Sequence, residues 1–188
     1  MPVAVTVIRA VERLATVVGR LGSLLLIALV GTILVNIVLR YAFNLGLIEL
    51  EELQWHLNAV VVMTALAATY GEDAHVRVDL FHDGFSQRSK AWIEVLGTAF
   101  LFLPFVVTLT LHAWSMAAYS WQLGEGSPMP SGLPARYVVK FVMFAGFALF
   151  GLQGVAVLIR SILVLATGDR RYAIGHALPE TTPAGDHP

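Results

Sequence analysis

Between Arg20 and Arg40 the chain runs for nineteen residues without a formal charge, and similar runs recur three more times. A helix that crosses a bilayer needs about 20 mostly apolar residues, so these runs limit what the chain can fold into. The first span is expected at about 21–39, with Asn36 as its one amide. The second, at about 53–70, includes His56 and Asn58. The third, at about 95–121, is longer than needed and carries Pro104, which predicts tilt or a kink. The fourth, at about 141–159, is followed beyond Arg160 by an apolar continuation, Ser161 to Thr167. The expectation is an all-α integral membrane protein of four transmembrane helices.

Composition agrees. Only 13% of the 188 residues are charged and 57% are hydrophobic, with a mean hydropathy of +0.73. A soluble domain carries about 25% charge, so this chain lacks the polar side chains to cover a compact surface in water. The net charge of −1 supplies no basic field for nucleic acid, and the absence of cysteine excludes disulfides, thiolate metal sites and cysteine nucleophiles.

Orientation follows from the basic residues. Arg9, Arg13, Arg20, Arg77, Arg88, Lys90, Arg160, Arg170 and Arg171 fall on one side of the expected topology, against Arg40, Arg136 and Lys140 on the other. The nine-to-three split places both termini in the cytoplasm. Residues 1–20 are then a cytoplasmic arm, 21–167 the membrane domain, and 168–188 a disordered cytoplasmic tail. The apolar run at 21–39 is too long for a cleaved signal peptide and lacks a suitable cleavage site. Ser86 is the expected cap of the helix leading into span three, and Pro134 suits the first turn of span four.

With that topology the polar residues gather in one layer at the outer boundary: Asn36, Arg40, Glu51, Glu52, Gln54, His56, Asn58, His112 and Lys140. Trp55 and Trp114 fit an interfacial belt, and many of the polar side chains can reach headgroups or water by snorkelling. Arg40 is placed to pair with Glu51 or Glu52 and so to fix spans one and two together. Glu51, Gln54 and Asn58 share one helical face, and Glu52 and His56 another. His56 and Asn58 cannot both point into one bundle, so span two makes contacts on more than one side. Further down, Thr64/Ala68 and Ala65/Thr69 have the spacing of close helix contacts.

Three chemistries compete with this interfacial reading. His56 and His112 lie at similar depth, as a bis-His haem in a cytochrome b-like electron carrier requires, but no second matched pair exists. His75, Asp79 and His82 would share a helical face as metal ligands, yet Asp83-Gly84 breaks such a helix at once. An autonomous transport path calls for midplane charges, broken helices or repeats, none of which is evident. No catalytic motif occurs, so the expectation is a non-enzymatic accessory subunit without cofactor or metal.

Particular residues carry a family resemblance. Asn36 to Asn44 (NIVLRYAFN) leads into Glu49 to Trp55 (ELEELQW). An apolar span follows, then Ala74 to Phe81 (AHVRVDLF), then a basic turn before span three. This pattern, most specifically His75-Val76-Arg77-Val78-Asp79, resembles the small membrane subunit of tripartite ATP-independent periplasmic (TRAP) transporters. The run GLPARYVVKF with Gln153-Gly154 resembles a subgroup linked with organic-acid uptake. The resemblance implies two partners, a large multi-span permease subunit carrying the substrate and ion sites and a periplasmic substrate-binding protein. It implies uptake driven by an ion gradient, usually sodium, with the small subunit as a static scaffold in contact with membrane lipids. It also implies assembly roles for Arg40, for Glu52 ahead of Glu51, and for Trp55; His56 and Asn58 are further interface candidates from their helical spacing. His75 and Asp79 would order the turn after span two.

Overall fold

The computed structural model describes residues 2–71, 86–169 and 172. Five helices account for nearly all of them: α1 (Pro2–Ala42), α2 (Ile48–Gly71), α3 (Gln87–Gly97), α4 (Leu103–Gln122) and α5 (Tyr137–Thr167). A π turn, Thr98–Phe102, joins α3 to α4. No strand occurs among the described residues. Helix α5 is central to the bundle and packs against α1, α2, α3 and α4, while α2 also lies along α1.

Among the described residues, three helical stretches are long and apolar enough to cross a membrane: Val3–Ala42, Arg88–Gln122 and Tyr137–Thr167. Helix α2 falls outside that group because Glu49, Glu51, Glu52, Gln54, His56 and Asn58 crowd its first half. Glu51 and Glu52 find partners, whereas Gln54 Nε2 and His56 Nε2 are buried without one. Only Trp55, Asn58 and Val62 of α2 are exposed; the rest of the helix is at least partly covered.

Close backbone approach holds the helices together. A Cβ at Gly22 would overlap the Thr64 hydroxyl, and one at Gly19 would sit 2.6 Å from the Ala68 Cβ. The Thr64/Ala68 spacing therefore meets two glycines of α1. Gly146 of α5 lies equally close to Met63 of α2. The Thr64 hydroxyl donates to the Val60 carbonyl at 2.8 Å, so its polar group is satisfied within its own helix.

The first and last helices run beyond the apolar stretches expected to cross the membrane. Residues 2–20, expected as a separate arm, continue straight into the first span as one helix of 41 residues. Ile8 is completely buried against Ala156 and Leu163 of α5, with Val11, Ile159 and Tyr172 around them. Ala15 packs with Ala67 and Leu149. Ile8, Glu12 and Ala15 follow the spacing of one helical face, and no proline interrupts the run, so the apolar contact extends the helix. Helix α5 likewise continues through Arg160 to Thr167. It stops at Gly168, whose φ of 70° suits a residue without a Cβ, and whose N–H reaches the Val164 carbonyl at 2.9 Å. Of the expected tail only Gly168, Asp169 and Tyr172 are among the described residues.

The expected irregularity near Pro104 takes the form of the π turn. Proline cannot donate to the helical ladder, and the turn just before it is widened, with the Leu103 N–H bonding the Thr98 carbonyl five residues back. The widened turn sets the Phe102 ring between helices. It stacks on Tyr70 of α2 (4.7 Å, 8°) and meets Phe150 of α5 edge-on (4.8 Å, 77°). Ser86 caps α3 as expected, accepting from the Ser89 N–H at 3.2 Å. Pro134 lies outside α5. Ala135 takes a positive φ of 62°, and the helix begins only at Tyr137.

Candidate functional site

The polar residues of α2 are arranged by its helical repeat. Successive residues point about 100° apart, so the neighbouring acids Glu51 and Glu52 reach different partners. Glu51 pairs with Arg40 of α1, joining the two helices beside their connecting turn, and both side chains remain about half exposed (41% and 48%). A pair with that exposure contributes about 0–1 kcal/mol. Its role is geometric, holding the end of α1 against the start of α2.

Glu52 turns the other way, into the loop between α4 and α5. One carboxylate oxygen accepts a hydrogen bond from the Ser127 hydroxyl, and the other accepts from the Leu133 N–H at 2.6 Å. The loop closes around these contacts, with Ser127 N–H to Leu133 carbonyl at 3.1 Å and Met129 N–H to Ser127 Oγ at 3.1 Å. Gly132 sits so near that a Cβ there would lie 2.1 Å from Ser127 Oγ and 2.8 Å from Glu52 Oε2. The hydrogen bonds from Ser127 and Leu133, helped by Arg136 and His56, hold the Glu52 carboxyl below the usual carboxylate range.

A second carboxylate secures the near side of the same loop. Glu125 accepts from Ser120 Oγ of α4 at 2.6 Å and is paired with Lys140 of α5. Lys140 and Ser120 lower its carboxyl pKa as well. Its backbone carbonyl accepts from the Arg136 N–H at 2.9 Å. That bond helps hold Ala135 in a left-handed conformation costing roughly 1 kcal/mol or more. Together Glu52 and Glu125 form a clasp joining α2, α4, α5 and the loop.

The clasp leads to the first prediction. Both carboxyls have a folded pKa below the unfolded value, so their stabilisation is present above the unfolded pKa and is lost as pH falls through the folded one. Hydrogen exchange of residues 127–133, measured as protection relative to the intrinsic rate at each pH, is expected to be slow near neutral pH and to lose that protection as the solution is acidified below the carboxylate range. Glu52→Gln is expected to lack that protection at neutral pH. Unchanged exchange in that variant would contradict the clasp.

The remaining candidates are placed as follows. His56 is partly buried and bonds the Glu52 carbonyl through Nδ1 at 2.6 Å, while its Nε2 is buried without a partner. Asn58 and Trp55 face outward, Trp55 being 71% exposed. The two-sided reading of α2 thus resolves with His56 inward and Asn58 outward. His75, Asp79 and His82 lie outside the described residues. The haem alternative finds no support. His112 is exposed and bonds the Thr108 carbonyl of its own helix at 2.8 Å, and α2 and α4 make their main contacts with other helices. Sequence reasoning passed over Ser120, Glu125, Ser127 and Gly132. The run SPMPSGLP was legible as a turn, but nothing in its spacing points to a carboxylate 75 residues earlier.

At the opposite end of the bundle Arg160, 5% exposed, donates from Nε to Glu12 Oε1 at 2.7 Å, joining the start of α1 to the end of α5. All these contacts are structural in chemistry: carboxylates accept hydrogen bonds and tie helix ends.

Comparison with curated proteins and with solved structures gave no match. The family model for tripartite ATP-independent periplasmic transporters, DctQ component, matches residues 29–164, well over half of the chain. That stretch includes Arg40, Glu51, the whole clasp and Arg160. The chain therefore belongs to the DctQ component family of TRAP transporters, as a small membrane subunit of a transport system.

Proposed function

We propose that the chain crosses the bacterial inner membrane four times, α2 included, with both termini in the cytoplasm. In this reading it is the non-catalytic scaffold of the large permease subunit, in ion-gradient-driven (sodium) uptake of a small organic acid. The observation that carries the reading is the position of the charges. No Asp, Glu, Lys or Arg occurs in 21–39, 53–70, 95–121 or 141–159. Those at the helix ends include Arg40–Glu51, Glu125–Lys140 and Glu12–Arg160, which pair with one another. A chain that carried an anionic solute and a coupling ion by itself would need ionised groups inside the bilayer. The transport path accordingly belongs to the partner.

Three helical stretches with exposed apolar surface and an α2 covered by its neighbours support four crossings. Trp55 and Asn58, outward on α2, are the side chains offered to the large subunit. Arg40, Glu51, Glu52 and His56 order the end of the bundle from which they project. The clasped loop presents a firm surface to the periplasmic binding protein. His75 and Asp79 are assigned to the cytoplasmic turn after α2.

Co-expression with the large subunit tests this reading. The tagged chain is expected to retain the large subunit in mild detergent, and proteoliposomes are expected to take up solute only when both are present. Solute flux from this chain alone, or its purification free of the co-expressed partner, would overturn the scaffold role.

A further inference from the structure

Ahead of the family-matched residues, α1 carries a groove of about 480 Å³ lined by Arg9, Glu12, Arg13, Thr16, Val17 and Arg20. Arg9, Arg13, Thr16 and Arg20 recur at helical spacing and share one face. The single acid in the groove, Glu12, is already engaged by Arg160 at 2.7 Å, so Arg13 and Arg20 set the sign of the field on this face. Arg13 and Arg20 are exposed.

The depth of this groove follows from the helix itself. From Arg20 to Arg40 is about 30 Å at about 1.5 Å per residue, the thickness of the hydrocarbon core. With Arg40 at one boundary, Arg20 stands at the other, and Thr16 and Arg13 lie about 6 and 10 Å beyond it. That is the headgroup layer, within reach of a long basic side chain. Next to the basic face, Val17, Leu21 and Leu24 are 54%, 59% and 62% exposed and continue from the groove toward the membrane interior. A ligand with an anionic head and an apolar tail fits both surfaces; a soluble anion uses only the first.

We propose that this face of α1 is a binding site for anionic phospholipid, the phosphodiester held by Arg13, Arg20 and Thr16 and the acyl chain laid along Val17, Leu21 and Leu24. The proposal rests on the chain spanning the membrane and goes beyond the scaffold role.

Native mass spectrometry of the purified chain, equilibrated with equimolar phosphatidylglycerol and phosphatidylcholine, reads the preference directly. The wild type is expected to favour phosphatidylglycerol. The preference should fall by about twenty-five-fold in Arg13→Gln/Arg20→Gln, a factor of about five for each guanidinium at an anionic surface. Arg88→Gln, an exposed cation on α3, is expected to leave it unchanged. Equal loss in Arg88→Gln, or full retention in the double variant, would overturn the site. Displacement of the lipid by inorganic phosphate would overturn the lipid assignment in favour of a free-anion site. Release of the wild-type chain from membranes by alkaline carbonate would overturn the membrane-spanning reading as well. That result is separable from loss of lipid preference in a chain that stays inserted.

Discussion

Gly146→Leu is expected to destabilise the bundle by about 3 kcal/mol, at the upper end of the usual cost of overpacking. A Cβ at this position would lie 2.7 Å from the Met63 Cβ and 3.1 Å from the Met63 carbonyl oxygen. Neither atom can rotate away, because one is fixed to the backbone and the other belongs to it. The added side chain must therefore push α2 from α5, opening the contact between the two helices. Gly31→Leu is the matched control. It sits on an exposed stretch of α1, and a Cβ there meets nothing within 4 Å, so its cost should stay within about 0.5 kcal/mol. Equilibrium unfolding in mixed micelles, followed by tryptophan fluorescence, measures both. Equal stability of the two variants would contradict the packing.

Glu12→Ala is expected to have the next largest effect, roughly 2–3 kcal/mol. Removing one partner of a fully buried ion pair costs about 3–5 kcal/mol. The lower figure applies here because the Glu12 side chain remains 24% exposed while that of Arg160 is 7% exposed. The double variant Glu12→Ala/Arg160→Met is expected to regain most of the loss, since replacing both partners with apolar groups leaves no uncompensated charge. Simple additivity of the two single changes would show that the residues are not coupled. The pair ties the family-matched region to a segment that precedes it, so the same unfolding measurement reports how firmly α1 is held along its N-terminal half.

The helical architecture was largely legible because its causes are local. Each apolar run is helical throughout, the third with the π turn inside it, Ser86 caps the helix it precedes, and the small residues Thr64 and Ala68 do mark a close contact. The partners of those small residues were not legible, since Gly19 and Gly22 carry no label for the helix they will meet. The continuation of α1 through residues 2–20 was missed for a similar reason. Arg9, Arg13 and Arg20 read as a flanking basic arm, whereas Ile8 and Ala15, on another face, decide that the arm packs. The Arg40 pair was foreseen with two possible acids, and the helical repeat chose Glu51. The second acid then fell to a loop 75 residues away. Such a contact leaves no periodic trace in sequence. Pro134 illustrates the opposite error, a favourable local preference overruled because Ala135 leaves the helical path.

The clasp also has a mechanical consequence. Through Glu52 and Glu125 the short loop is fastened to the start of α2, the end of α4 and the start of α5. A force applied to that loop is therefore divided among three helices at once and delivered near their ends. Load on this end would shift the bundle as one block and leave the spacing between its members nearly unchanged.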